Sequence, residues 1–440
     1  MNMRPLPCLD AVCAQHKYVV LFWDERVEGR ALLGVGARRS LSVARPTPGD
    51  WALWQAFVLE GERRNAWTTG WLGYDLHGSL DLARDGQTPR NVPEHPGGWP
   101  LLVWWEPEVV VEWPVGQSEA VLVWGGEVPW ANEVLAAARG ELAGGMPREA
   151  AATPPSAPRP APGSWAALTP SWSEDEYRMK FEEVHRALQR GDIYEMNLCM
   201  PWEGRAPGDG SWSIFSKLAE KTKAPHTAYV QAGMWRTLCA SPERFLAKRG
   251  AKLLSQPIKG TVRRGSTPAE DKALKAQLAS SEKERAENVM IVDLVRNDLS
   301  RVAERDSVAV EELFGIHTFD TVHQMISTVS CTLRPEVSTL DILRATFPMG
   351  SMTGAPKLSA MNHIARLEGT GRGVYSGAIG YVEPSGDWDL NVVIRSLMHR
   401  ADSGRVDATV GGAITLLSQA ESEYEECLLK AEALRQCLVP

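Results

Sequence analysis

An α+β fold with largely antiparallel sheets is what the sequence predicts, on three observations. Short apolar runs follow one another across tight-turn residues, as in YVVLFW (18–23), WPLLVWWEP (99–107) and EAVLVWGGEV (119–128), which favours hairpins over βαβ crossovers. Amphipathic helical segments stand between groups of strands and do not alternate with them. No internal repeat is visible. The helical segments carry start and stop signals: SEDEYRMKFEEVHRALQRGD (173–192) has acidic residues in its first turn and Gly191 at its end. SEKERAENVMIVDLVRND, LSAMNHIARLEG and AESEYEECLLKAEALRQCL read as three further helices. TAYVQAG, TLCASPERFLAKRG, AKLLSQPIKG, VYSGAIGYVE, WDLNVVIRSLMHR and RVDATVGGAITL read as strands.

Composition narrows the function. The chain has 440 residues, 44% of them hydrophobic, with 17 Trp, so it can bury a large core and is not a disordered chain. A net charge of −8 argues against a nucleic-acid binder and for a small-molecule ligand. Seven scattered cysteines without a CxxC pair suggest neither a disulfide framework nor a zinc site. The apolar run Tyr18 to Trp23 is too short for a signal or membrane segment, so a cytoplasmic location is expected. The stretch GGMPREAAATPPSAPRPAPGSW shifts abruptly to Pro, Ala and Gly. It divides the chain into a mainly β region (1–143), a linker or loop (144–168) and a C-terminal region (169–440). GVGARR (34–39) lacks the third glycine of a dinucleotide fingerprint and is assigned to a turn.

Several residues could carry chemistry. Glu284 and Glu287 lie three apart on one helix, and Glu423 and Glu426 on another. ExxE is also the pattern of a solvated acidic face, yet Glu287 shares a stripe with Met290 and Leu294, and Glu423 one with Cys427, Ala431 and Leu434. A carboxylate on an apolar stripe needs a partner. Two such pairs facing each other would make an oxygen-only site suited to Mg²⁺. In FPMGSMTGAPK, residues Gly350, Ser351, Thr353 and Gly354 precede a helix beginning near Pro356, an arrangement that serves an anion or simply caps the helix. Tyr375 and Arg395 read as strand residues, and Arg395 calls for a carboxylate, either a ligand's or one across a sheet. In SQPIKGTV, Lys259 falls where a strand ends and Gly260-Thr261 opens a turn. Glu243 in SPERFL could join it as an acid–base set or a salt bridge.

Taken in order, SPERFL, QPIKGT, KERAENVMIVDLVRNDLSRV, FPMGSMTGAPK, YSGAIGY, VVIRSL and VGGAITLLSQAESEYEE closely resemble the chorismate-utilising enzymes. GWLGYDL (70–76) and GDIYEMNL (191–198) extend the resemblance over most of the chain. It implies two large antiparallel β-sheets packed as a sandwich with outer helices, and chorismate as ligand of region 169–440. By the same resemblance Glu284, Glu287, Glu423 and Glu426 hold Mg²⁺, while Tyr375, Arg395 and the Gly411-Gly412 backbone hold the enolpyruvyl carboxylate. Thr261, Ser351 and Thr353 line the ring. PIKGT resembles the aminodeoxychorismate synthase component I chains, whereas anthranilate synthases usually carry alanine in the lysine's place. That likeness implies Lys259 adding at ring C2 as the 4-hydroxyl leaves, with Glu243 as general acid–base and ammonia then entering at C4. A neutral amine is needed, so burial or a nearby cation is expected to lower the Lys259 pKa. Many relatives have histidine where this chain has Gln324, with His323 one place earlier, and no catalytic role is carried over to His323. Nothing resembles the cysteine-centred nucleophile turn of a glutamine amidotransferase, so ammonia is expected free or from a separate amidotransferase subunit. Anthranilate formation and isochorismate or salicylate formation are the alternative activities, and a non-catalytic chorismate-binding subunit would have lost some of these carboxylates.

Overall fold

Apolar runs buried on both faces need a covering layer on each side, and the chain supplies it with two antiparallel sheets and outer helices. The structure is a computed structural model that describes residues 4–25, 29–45, 47, 49–79, 93–141, 166–206 and 210–438. Residues 144–165 of the expected linker lie outside the described residues. Among the described residues one sheet has eleven strands, beginning at Gly354–Ala355, Glu195–Arg205 and Arg405–Ile414 and ending at Val109–Trp113 and Val121–Trp124. The other has ten, beginning at Ile258–Arg263, Val322–Thr332 and Lys252–Gln256 and ending at Leu102–Glu106 and Arg39–Val43.

Alternation along each strand decides which core a side chain enters. Val20 and Cys199 point into the core shared with Trp71, Trp104, Leu253 and Val329 of the other sheet, while Leu21, Leu198 and Met200 point the other way. That second face is covered by Tyr177, Phe181 and Val184 of helix Glu174–Arg190 and by Leu434 of helix Ala420–Arg435. Helix Glu174–Arg190 starts in a reciprocal Ser173–Glu176 capping box and stops at left-handed Gly191.

Three sequence expectations change here. Prolines split two expected strands, giving Trp235–Ser241 and Arg244–Arg249 around Pro242, and Lys252–Gln256 and Ile258–Arg263 around Pro257. The strand does not end at Lys259. It continues through Thr261 to Arg263, and the expected turn is a bulge, with a register shift between Ile258 and Thr261 and Gly260 at φ +83°. Tyr375 and Arg395 are not in strands but in the bends just before Ala378–Val382 and Ser396–Arg400. Tyr18–Trp23 and Ala31–Val35 join one sheet and Thr68–Leu72 and Leu102–Glu106 the other, and helices Asp50–Arg63 and Ala131–Arg139 lie among them. GVGARR closes strand Ala31–Val35 and turns into Arg39–Val43.

Candidate active site

The bulge at Gly260 sets the geometry around Lys259. Glycine suits the bulge because its φ is left-handed, and a Cβ there would stand 2.9 Å from Glu284 Oε2. The first turn of helix Glu282–Ser300 therefore lies directly over the lysine strand. Lys259 Nζ meets Glu195 Oε1 at 2.6 Å, with the two side chains 11% and 6% exposed. Burial lowers the lysine's pKa, but the carboxylates of Glu195, Glu287 and Glu243 outweigh it and hold the amine above its ordinary value. This corrects the expectation of a depressed lysine: the resting amine is an ammonium. Glu243 is buried, which pushes its carboxyl up to about 7 against the pull of Lys259. The buried Ser351 hydroxyl beside it interacts with this carboxyl and, like Lys259, favours its ionised form.

The two acidic pairs sit on opposite helices. On Glu282–Ser300 the buried face is Asn288, Ile291, Val292, Asp298 and Leu299, so Glu287 with Met290 and Leu294 forms its partly exposed flank and not a core stripe. On Ala420–Arg435, Glu423 is buried in line with Cys427, Ala431 and Leu434, as expected. A Cβ on Gly412 would lie 3.0 Å from Glu423 Oε2, so this glycine lets helix Ala420–Arg435 approach its strand. Burial pushes Glu287 up to about 7, with Glu284 adding to the rise, and burial likewise raises Glu423, with Glu426 adding. Lys283, 3.9 Å from Glu287, acts electrostatically on Glu423 as well, while Lys430 pairs with Glu426 at 2.6 Å. Among the described residues no three His, Cys, Asp or Glu side chains close into a metal-binding group. The donor set nevertheless fits a hard cation. All four groups are oxygen ligands, and mutual repulsion within each pair is what a divalent ion would relieve.

Arg395 takes a left-handed φ of +51° and is deeply placed, and burial lowers its pKa. Its guanidinium makes no hydrogen bond or ion pair among the described residues, an arrangement that asks for a carboxylate from outside the fold. The bends carrying Arg395 and Tyr375 are tied together by Ser376 N–H donating to the Val393 carbonyl, and Val392 N–H donates to the Glu243 carbonyl. Burial raises the Tyr375 phenol well above its ordinary value, and its oxygen lies 3.8 Å from Cys199 Sγ, opposite Gly411 in the sheet. Thr353, expected to line the ring, is fully buried with its hydroxyl donating to the Met349 and Gly350 carbonyls. Thr261 is exposed and accepts from Gln324 at 3.4 Å, whereas His323 is spent on Asp271 (3.0 Å) and Thr318 (2.9 Å).

Two groups were not singled out in the sequence. Glu195 lies in EMNLCM, where a carboxylate inside an apolar strand was the available signal. Arg372 is the other: it grips Glu368 through two bonds of 2.8 and 2.6 Å, donates to the Met352 and Asn197 carbonyls, and lies over the Tyr74 ring. Arg372 thereby fastens the Tyr375 bend to strand Glu195–Arg205. A cavity of about 610 Å³ lies elsewhere, and its Arg30, Arg244 and Arg249 already pair with Glu112, Glu383 and Asp389.

Comparison with known proteins agrees with this architecture. The pattern of the chorismate binding enzyme family matches residues 19–436. The chain is 45% identical over 266 residues to an aminodeoxychorismate synthase of Streptomyces griseus, covering 60% of this chain and 36% of that one. It is 40% identical over 271 residues to the aminodeoxychorismate synthase component 1 of Escherichia coli (strain K12), covering 61% and 59%. It thus spans well under two thirds of the length of these relatives. The crystal structure of anthranilate synthase component I from Streptococcus pneumoniae TIGR4 superposes with a TM-score of 0.74 at 24% identity over 92% of both chains, a likeness of fold. With the family pattern running almost from end to end of a two-sheet fold whose buried lysine, glutamates and lone arginine stand on its motifs, the chain belongs to the chorismate binding enzymes.

Proposed function

We propose that this chain is the chorismate-aminating component of an aminodeoxychorismate synthase, making 4-amino-4-deoxychorismate from chorismate and ammonia for 4-aminobenzoate and folate synthesis in the cytoplasm. One observation carries the reading: the lysine of the PIKGT segment is shielded from water beside the carboxylates of Glu195, Glu243 and Glu287. The names of the similar proteins support it. Among the described residues no helix is long and apolar enough to cross a membrane, and all seven cysteines are free.

In this reading Arg395 and Tyr375 hold the side-chain carboxylate of chorismate. The Lys259 amine forms a bond to ring C2, the electron pair moves through the conjugated double bonds, and the C4–O bond breaks. Glu243, protonated below about pH 7, gives its proton to the departing oxygen, which leaves as water. Ammonia then bonds to C4, the pair returns, and the C2–N bond breaks. Glu284, Glu287, Glu423 and Glu426 would hold Mg²⁺, which when bound supplies positive charge for a substrate carboxylate.

Incubation with chorismate, Mg²⁺ and ammonium, with the product identified by mass and by lyase-dependent conversion to 4-aminobenzoate, tests the reading. Anthranilate or isochorismate as the product refutes it. Two further outcomes are expected. Excess chelator abolishes turnover, and Glu423→Gln lowers it about 100-fold or more, measured at saturating ammonium. Full activity in chelator contradicts the metal assignment. The isolated chain uses ammonium and not glutamine, with glutamine use appearing when an amidotransferase subunit is added. Glutamate release by the chain alone contradicts the two-subunit arrangement.

A further inference from the structure

Resting on the reading above, we propose that Glu195 accepts the proton that Lys259 must lose before its amine can bond to the ring. Glu195 makes the one hydrogen bond the amine has among the described residues, at 2.6 Å, and both side chains are shielded from water as an alternative acceptor. The carboxylate is also held firmly in place. Strand Glu195–Arg205 is paired at this end on both sides, through Glu195 with Ala355 and through Met196 with Ile414. A Cβ on Gly354 would stand 2.1 Å from the Glu195 carbonyl, so the neighbouring strand packs at the closest approach glycine permits.

The other charged groups around the lysine have different positions. Glu243 faces it beside Ser351, and Glu287, with Glu284 and Lys283, faces it from helix Glu282–Ser300. None of these is within hydrogen-bond distance of the amine. His323, on the neighbouring strand, is turned to Asp271.

The protons balance through a full cycle. The Lys259 ammonium passes one proton to Glu195, and the neutral amine bonds to C2 while Glu243 protonates the departing 4-hydroxyl. Ammonia bonds to C4 and the lysine nitrogen leaves C2 with its bonding pair. The new C4 ammonium returns a proton to Glu243, and Glu195 returns its own to Lys259. Both carboxyls and the lysine recover their starting states, with water as the only by-product.

Because the transfer is internal, the fraction of neutral amine does not depend on solvent pH while the pair keeps one shared proton. In Glu195→Gln the amide can still accept a hydrogen bond but not the proton, which must then go to solvent. The decisive quantity is the ratio of adduct-forming rates, variant over wild type, from pH 7 to 9, with chorismate supplied without ammonium and the adduct followed by intact-protein mass. Taking the ratio cancels groups common to both proteins, Glu243 included. Losing the Glu195 charge also lets the amine give up its proton more easily, so the expected deficit at pH 7 is about tenfold or more and shrinks as pH rises, with chorismate affinity unchanged. A ratio independent of pH, or a variant as fast as wild type at pH 7, overturns the proposal. Glu195→Asp, which keeps the carboxylate, should be slower but keep the wild-type pH dependence, and a steep dependence there overturns it as well. If wild type forms no adduct, the lysine reading falls and this proposal with it. An adduct that forms with a flat ratio removes Glu195 alone.

Discussion

Lys259→Ala is expected to lower formation of 4-amino-4-deoxychorismate by about 10³-fold or more, equivalent to about 4 kcal/mol of transition-state stabilisation. Chorismate affinity should change little, because Arg395, Tyr375 and the four helix glutamates remain. A small gain of anthranilate is understandable, since ammonia could then occupy the vacated path to C2. The substitution leaves Glu195 buried without its cation, which costs stability on the order of 3 kcal/mol. Pairing it with Glu195→Gln separates the two effects: the double variant should recover thermal stability but not activity. Unchanged C4 amination by Lys259→Ala removes the nucleophile role and any electrostatic role in hydroxyl departure, whereas a loss of only about tenfold with no ring adduct in the wild type leaves the lysine as an electrostatic aid.

The second large effect is expected at Arg395. Its guanidinium is half-buried and has no partner among the described residues, so in the proposed reading a substrate carboxylate supplies the ion pair. Arg395→Met should lower kcat/KM for chorismate by about 10²- to 10³-fold, from the 2–5 kcal/mol that a buried hydrogen-bonded charge pair typically carries. The same change should not lower the melting temperature, because removing an uncompensated buried charge relieves a desolvation penalty. A structural arginine would show the opposite pattern, with reduced stability and near-normal kinetics.

The contrast between Arg395 and Arg372 shows what the sequence could and could not convey. Both are arginines in apolar surroundings near the same bend. The sequence marked Arg395 as a carboxylate seeker, while Arg372 finds its carboxylate four residues away and takes carbonyls from strand and loop residues far off in the chain. Glu195 was missed for a related reason. It lies 64 residues from Lys259, and only the pairing of Gly354–Ala355 with its strand fixes where it points. Helical phase read correctly for Glu423, whose helix buries one clean stripe. It misread Glu287, because Asn288 and Asp298 are buried on that helix and shift the inner face away from Met290 and Leu294. The expectation of a depressed lysine rests on the neutral amine its chemistry needs, and it is the fold that adds Glu195 and Glu287 to Glu243 around the ammonium.

The most direct test of a nucleophilic Lys259 is peptide mapping of the protein after incubation with chorismate and Mg²⁺ in the absence of ammonium. The expected result is a species heavier by the substrate less one water, carried on the peptide containing Lys259 and discharged to 4-amino-4-deoxychorismate when ammonium is added. An unmodified Lys259 under conditions where ammonium still supports C4 amination would contradict the account.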